Sequence, residues 1–225
     1  MASSTGAYQG TRHKLVLSFD VGTTFSGVSY SILDPGRVPQ IQGVTRSSDH
    51  TGTVCKIPTV VYYDNSGKVC AAGAEALRDG INLEAEENGW VKAEWFKLHL
   101  RPRAGGKELL DSEIPPLPPK KTVVEVFADF LRYLLECTAQ FIQESHLNGK
   151  KLWASNKHNL YFVLPHPNGW GGREQALMRR ASILAGLIPD TPSVNARVSF
   201  VTEGEASLHF AIQHNFHDML VSGTF

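Results

Sequence analysis

The fold is decided by Leu15 to Leu33, which read LVLSFDVGTTFSGVSYSIL. The stretch begins with a short apolar run, residues 15–19, that is typical of a strand buried on both faces. Asp20 ends that run, Gly22-Thr23-Thr24 reverses the chain, and residues 25–33 return as a second strand. The stretch therefore predicts a β-hairpin that carries an aspartate and a small polar bend at its tip.

The bend allows two interpretations. Backbone N–H groups and hydroxyls of Gly22, Thr23 and Thr24 would converge on one point, which is the geometry that holds phosphate oxygens. Asp20 beside them could bind Mg²⁺ through its water shell, because Mg²⁺ keeps several waters and takes few protein carboxylates. The alternative is an ordinary hairpin whose aspartate and glycine serve only the turn. No G-x-x-x-x-G-K-[ST] and no G-x-G-x-x-G after a strand occurs, which excludes the P-loop and the dinucleotide-binding fingerprint.

The same residues carry a family resemblance. FDVGTTFSGVSYSIL resembles the first phosphate motif of the actin-like ATPase superfamily, and within that group DVGTTFS is closest to the heat-shock 70 kDa chaperone family. The resemblance implies an α/β, ribonuclease H-like lobe with ATP and Mg²⁺ as cofactors. It also implies that Asp20 lies at the metal and that Gly22, Thr23, Thr24 and Phe25 lie at the phosphates.

Composition sets the broad class. The chain has 225 residues, 42% of them apolar, so it can bury a sizeable core. Its 22 Lys and Arg balance its 22 Asp and Glu, which argues against an electrostatic nucleic-acid binder. No apolar signal segment and no run near the roughly 18 residues of a membrane span is visible, so no membrane partner is expected. Cys55, Cys70 and Cys137 form no paired framework, which favours a reducing compartment, and we expect a cytoplasmic protein.

The order of predicted elements is that of an α/β protein. We expect a disordered N-terminus at 1–12 and one lobe at 13–225, with its core at 13–50 and 121–225. A smaller α+β subdomain is expected at about 51–110 and a proline-rich linker at 111–120. As in the first lobe of the family, the core would hold a five-stranded mixed sheet, with strands at 15–19, 25–33, 38–44, 159–164 and 198–201.

Other predicted elements surround this sheet. In the subdomain we expect a hairpin at 60–63 and 68–72, then a short helical piece at 74–78 that ends at Gly80 and Asn82. The core helices are expected at 122–146, stopped by Asn148-Gly149, at 173–186, and from 202 to about 214. One sheet face would lack a covering helix and expose an apolar patch, through which other proteins could bind.

Lys97 stands in the aromatic segment WVKAEWFKLHL, residues 90–100. The ordinary interpretation is a solvated lysine beside a buried aromatic cluster. The resemblance implies another role, because in these chaperones a lysine after a short aromatic stretch reaches the γ-phosphate from the smaller subdomain. A lysine there would stabilise the charge that develops during phosphoryl transfer, which makes Lys97 a candidate catalytic residue.

Glu203 is the second candidate catalytic residue. VSFVTEGEASLHFAI, residues 198–212, resembles the chaperone strand that ends in N-E-P-T-A-A-A, and Glu203 matches the acidic residue near the metal and the attacking water. Gly204 and Glu205 replace the Pro-Thr pair of the family, so the loop differs. The alternative is a carboxylate at a helix N-terminus, stabilised by the helix dipole without any further function.

The resemblance covers roughly residues 14–215 and corresponds to the first lobe of the chaperone nucleotide-binding domain. The second phosphate hairpin, D-x-G-G-G-T, and the adenosine segment have no counterpart in this sequence. We therefore expect a heat-shock 70 kDa-like protein, truncated naturally or incomplete, that binds ATP·Mg²⁺ weakly and hydrolyses it little or not at all. The alternative is a non-catalytic interaction protein that uses the incomplete lobe or the proline segment 115–120, PPLPPK, as a ligand.

Overall fold

The computed structural model describes residues 6–44, 56–102 and 114–208, and the predicted hairpin forms the middle of its main sheet. The described strands are β1 (Lys14–Asp20), β2 (Phe25–Leu33), β3 (Gln42–Gly43), β4 (Ile57–Pro58), β5 (Val60–Tyr63), β6 (Val69–Ala72), β7 (Val91–Glu94), β8 (Tyr161–His166) and β9 (Val198–Thr202).

The main sheet has the order β3-β2-β1-β8-β9, and β4 pairs with the other end of β2. β1 and β2 are antiparallel, with Leu17 opposite Tyr30, whereas β8 and β9 run parallel to β1 and to each other. The fold is therefore α/β with a mixed sheet, as predicted. Because β1, β8 and β9 point the same way, the residues that follow them meet at one edge of the sheet.

The described α-helices are α1 (Ile81–Asn88), α2 (Val123–Ser145), α3 (Gly149–Asn156) and α4 (Gly172–Leu184). Three 3₁₀ helices lie at Gly73–Leu77, Phe96–Leu100 and Pro192–Arg197, and residues 203–208 are helical. α2 begins at a capping box: the Thr122 hydroxyl accepts the Glu125 N–H, and Glu125 Oε2 accepts the Thr122 N–H at 2.8 Å.

The core lies between one face of the main sheet and helices α2 and α4. Alternate strand residues, such as Leu15, Leu17 and Phe19, are buried and pack with the apolar faces of both helices. The opposite face carries Val16, Ser18, Ser29, Ser31, Tyr161, Val163, Ser199 and Val201, all of which are half-buried except the exposed Ser199. Four of these residues are serines and four are apolar, and the exposed apolar patch expected on this face stays a prediction.

A second, small antiparallel sheet has the order β6-β5-β7, which confirms the predicted hairpin of β5 and β6; this sheet and the segment up to residue 100 are called the subdomain below. The subdomain packs on α2 through Phe96, whose fully buried ring lies 6.2 Å from that of Phe127 and 5.7 Å from that of Phe130. A polar contact strengthens this junction: the buried Tyr63 hydroxyl donates to Asp129 Oδ2 at 3.1 Å.

Some predicted elements were wrong in length or missed. The strand at 38–44 is only Gln42–Gly43, because Pro39 cannot donate to the ladder and Val38 and Ile41 are exposed. Helix ends were predicted at Asn82 and Gly149, so the short helices α1 and α3 were missed. A Cβ on Gly149 would lie 2.1 Å from the Ile142 carbonyl oxygen, so the glycine allows α3 to fold back closely on α2.

The N-terminal segment also differs from its prediction. Residues 6–12 contain no helix or strand, but Tyr8 exchanges backbone hydrogen bonds with the turn after β2: its N–H donates to the Arg37 carbonyl at 2.7 Å, and its carbonyl accepts the Gly36 N–H at 2.9 Å. The described part of the predicted disordered region is thus held in place. Residues 1–5, 45–55, 103–113 and 209–225 lie outside the described residues.

Candidate functional site

A cleft of about 490 Å³ opens where β1, β8 and β9 end and the 3₁₀ helix Phe96–Leu100 of the subdomain faces them. It is lined by Asp20, Gly22, Thr23, Lys97, Leu98, Arg101, Pro167, Trp170 and Glu203. Five of these nine residues were predicted as site residues from the sequence. Residues far apart in the chain therefore converge on one cleft.

The hairpin supplies Asp20, Gly22 and Thr23 to the cleft. Gly22 is needed because a Cβ at this position would lie 2.2 Å from the Phe25 carbonyl oxygen. The other two predicted phosphate residues lie outside the lining: the Thr24 carbonyl accepts the Thr59 N–H at 2.9 Å, and Phe25, which is 48% exposed, pairs with Pro58 of β4. Asp20, Gly22 and Thr23 of the hairpin tip thus line the cleft, whereas Thr24 and Phe25 contact residues 58–59.

Lys97 is buried, being only 4% exposed, which excludes its interpretation as a solvated lysine. Its Nζ atom donates to Glu203 Oε1 at 3.0 Å. Two features of the preceding residues place Lys97 in the cleft. Trp95 has left-handed backbone angles (φ 55°, ψ 18°), which turn the chain from β7 into the 3₁₀ helix, and Phe96 anchors that helix on α2.

Glu203 lies in the first turn after β9, and its side chain is 49% exposed. The role of a capping carboxylate belongs to its neighbour: Glu205 Oε2 accepts the Thr202 N–H at 2.8 Å, and the Thr202 hydroxyl accepts the Glu205 N–H at 3.1 Å. The pattern T-x-x-E was present in the sequence and distinguishes the two glutamates. Glu203 is thereby left to pair with Lys97 across the cleft.

The charges of the cleft act on Asp20. The pKa of Asp20 is raised above its ordinary value, chiefly because the surrounding protein desolvates the carboxylate. The Lys97 ammonium opposes this shift, and the Glu203 carboxylate adds to it. Two carboxylates and one ammonium thus interact within the site, and a cation bound near Asp20 would relieve the repulsion between the carboxylates.

Four of the lining residues were not predicted as site residues, and Trp170 and Arg101 are the two of them whose side chains can interact with a charged group. Trp170 lies in the loop between β8 and α4, and Lys97 Nζ lies 5.8 Å from the centre of its ring. The turn-rich segment PNGWG, residues 167–171, directly after a parallel strand was a usable signal, because such loops lie at the edge of the sheet where ligands bind. Arg101 follows the 3₁₀ helix, and no feature of the sequence marked it.

The proline segment is packed against the protein. Pro118 is buried and Leu117 is half-buried against the core. The Pro115 carbonyl lies 2.9 Å from His99 Nε2, and the Pro118 carbonyl accepts the Lys121 N–H at 3.2 Å. These contacts argue against the interpretation of 115–120 as a free polyproline ligand, which must be exposed and extended to enter a groove.

No cluster of three or more His, Cys, Asp or Glu side chains able to hold a metal ion lies within residues 6–44, 56–102 and 114–208. This is compatible with Mg²⁺ bound mainly through water and phosphate, as Asp20 alone would allow. Within the same ranges, no helix is long and apolar enough to cross a membrane.

Comparison with known proteins gave matches in structure and none in sequence. No protein-family model matches the sequence, and no curated protein matches it. Among solved structures, the chain is similar to a non-polymerising mutant of MamK bound to AMPPNP, with 14% identity and a TM-score of 0.42. The match covers 86% of this chain and 42% of that chain, so the chain spans less than half the length of that structure.

Proposed function

We propose that this chain is a heat-shock 70 kDa-like nucleotide-binding protein that binds ATP·Mg²⁺ in the cleft. The observation that carries the proposal is the convergence of Asp20, Gly22, Thr23, Lys97 and Glu203, from three distant segments, on that cleft. These are residues that the resemblance implied, and an ordinary hairpin turn would give no reason for a buried lysine to face it. At a TM-score of 0.42, the likeness to MamK adds nothing to this argument.

Each residue has a role that fits its chemistry. The N–H groups of the hairpin bend around Gly22 and Thr23 would bind phosphate oxygens. Asp20 would hold the hydrated Mg²⁺, which supplies charge neutralisation at the phosphates. Lys97 would bind the terminal phosphate, and Glu203 would orient the attacking water.

Binding is expected to be weak and hydrolysis negligible. Lys97 is already paired with Glu203, so a phosphate must displace that carboxylate before it can bind the ammonium. Within the described residues, the polar groups of the cleft approach the phosphates from one side, whereas phosphoryl transfer needs groups held around the whole chain of phosphates.

Titration calorimetry with ATP·Mg²⁺ and ADP·Mg²⁺, together with a phosphate-release assay, tests the proposal. Lys97→Met is expected to lower ATP affinity about ten-fold, since a charge-assisted hydrogen bond is lost. Lys92→Met is the matched control, because Lys92 pairs with Glu94 at the surface, 2.7 Å away. Absence of binding, or binding insensitive to both Lys97→Met and Asp20→Asn, would contradict the proposal. Turnover at chaperone-like rates would contradict its catalytic part.

A further inference from the structure

Lys97 has two partners in the cleft, and they differ in how firmly they are held. The Glu203 side chain is 49% exposed, whereas the Lys97 side chain is only 6% exposed. Trp170 is half-buried, and its side chain packs against the hydrophobic core. Of the two partners, the carboxylate is therefore free to rotate toward solvent, and the indole is not.

The loop around Trp170 makes three hydrogen bonds. The Trp170 N–H donates to the Pro167 carbonyl at 3.1 Å, and the Gly171 N–H donates to Glu174 Oε2 at 3.0 Å. Asn168 Oδ1 accepts the Gly204 N–H at 3.1 Å, which ties this loop to the turn that carries Glu203. The position of the indole is thus set by the loop and by the start of α4.

The indole and the carboxylate also respond differently to a phosphate. The face of a tryptophan ring attracts an ammonium group within about 6 Å, and the distance here is 5.8 Å. A phosphate group competes with Glu203 for the N–H donors of Lys97 and repels its charge. It does not compete with the uncharged ring.

From these differences we infer, given the proposed phosphate site, that Trp170 is a positioning residue that keeps the Lys97 ammonium in the cleft when a phosphate displaces Glu203. Lys97 then stays where the terminal phosphate binds, although its ion pair is broken. Trp170 acts on the bound phosphate through Lys97.

A ligand-free measurement tests the positioning directly. In protein labelled with ¹³C-lysine, the Lys97 εCH₂ signal, identified by its loss in Lys97→Arg, is expected to show an upfield ring-current shift. Glu203→Gln should leave that shift in place, because Trp170 still holds the amine. Trp153→Leu, which removes another half-buried tryptophan, should leave it unchanged, whereas Trp170→Leu removes it. Loss of the shift in Glu203→Gln would show that the carboxylate alone holds Lys97, and would overturn the inference.

Calorimetry with ATP·Mg²⁺ gives the functional test. Trp170→Leu is expected to weaken binding about five-fold, and Trp170→Phe to restore most of it, because phenylalanine also offers a ring face. In the Lys97→Met background the tryptophan change should have no further effect, which a merely structural role would not produce. Equal losses in both backgrounds would overturn the inference while leaving the nucleotide site intact. Failure of the unmodified chain to bind ATP would contradict the proposed function instead, and the lysine signal would still decide the positioning role.

Discussion

The two walls of the cleft are built in different ways. The core wall consists of Asp20, Trp170 and Glu203 with their loops. Asp20 ends β1, Trp170 lies in the loop after β8, and Glu203 directly follows β9. The subdomain wall is the 3₁₀ helix that carries Lys97, which packing against α2 holds in place. The position of the core wall follows from the topology of the sheet, whereas that of the subdomain wall depends on a few aromatic and polar contacts between distant segments. We therefore expect that a mutation can destabilise one wall and leave the other folded.

Phe96→Ala should have the largest effect and should act on the subdomain wall. Removal of this buried ring leaves a cavity against Phe127 and Phe130 and should lower the free energy of unfolding by about 3–4 kcal/mol. Chemical denaturation measures the loss, and hydrogen exchange shows where it falls. Faster exchange in β5 and β7 with unchanged protection in β1 and β8 is expected, and an equal loss in both sheets would contradict the separation of the walls.

Asp129→Ala should also loosen the subdomain wall. Asp129 accepts hydrogen bonds from Tyr63, from Lys121 at 2.7 Å and from Arg132 at 2.8 Å, and its side chain is only 11% exposed. Removal of the carboxylate leaves the largely buried Lys121 ammonium unpaired and should cost about 3 kcal/mol. Tyr63→Phe removes one hydroxyl from the same network and should cost only about 1 kcal/mol. Equal midpoints for the two variants in urea would show that the ion pairs contribute nothing.

Gly22→Ala should act on the core wall. The new Cβ would meet the Phe25 carbonyl oxygen, so the bend must shift, at a cost of about 2 kcal/mol. Gly27→Ala is the matched control in the same hairpin, because a Cβ there meets nothing within 4 Å. Thermal unfolding should separate the two variants, and nucleotide affinity should fall only in Gly22→Ala. A neutral Gly22→Ala would mean that the bend is not closely packed.

Asp20→Asn should have the smallest effect, and it should be stabilising. The pKa of Asp20 is higher in the folded state than its unfolded value of 3.8. Ionisation of Asp20 therefore lowers the free energy of unfolding at a pH above the folded-state pKa, and this loss is absent at a pH below 3.8, where the carboxyl is protonated in both states. The variant should therefore melt slightly higher than the parent at pH 7 and equally at pH 3. Asp64→Asn should behave in the opposite way at pH 7, because hydrogen bonds from Ser66 and Lys68 lower the pKa of Asp64. A lower melting temperature for Asp20→Asn at pH 7 would contradict this account.

The sequence predicted the core wall better than the subdomain wall, for a physical reason. A buried strand that ends in an aspartate or a glutamate is a local pattern, and parallel pairing brings such ends together. That Lys97 is buried depends on the left-handed turn at Trp95 and on the contact of Phe96 with α2, which no local pattern encodes. Helices α1 and α3 were missed because eight residues show too little periodicity to be recognised. Trp170 was not predicted as a site residue because its role depends on its contact with Lys97, which is distant in the sequence.

The pairing of β1 with β8 has a consequence for how the chain folds. Val16 lies opposite Tyr161, so β1 can pair on this side only with a segment about 145 residues further along the chain. The small sheet of β5, β6 and β7 closes within residues 60–94 and can form early, since all its pairings are local in sequence compared with that of β1 and β8. During synthesis the first hairpin therefore leaves the ribosome with one edge of β1 unpaired, open to premature association with other strands until β8 emerges.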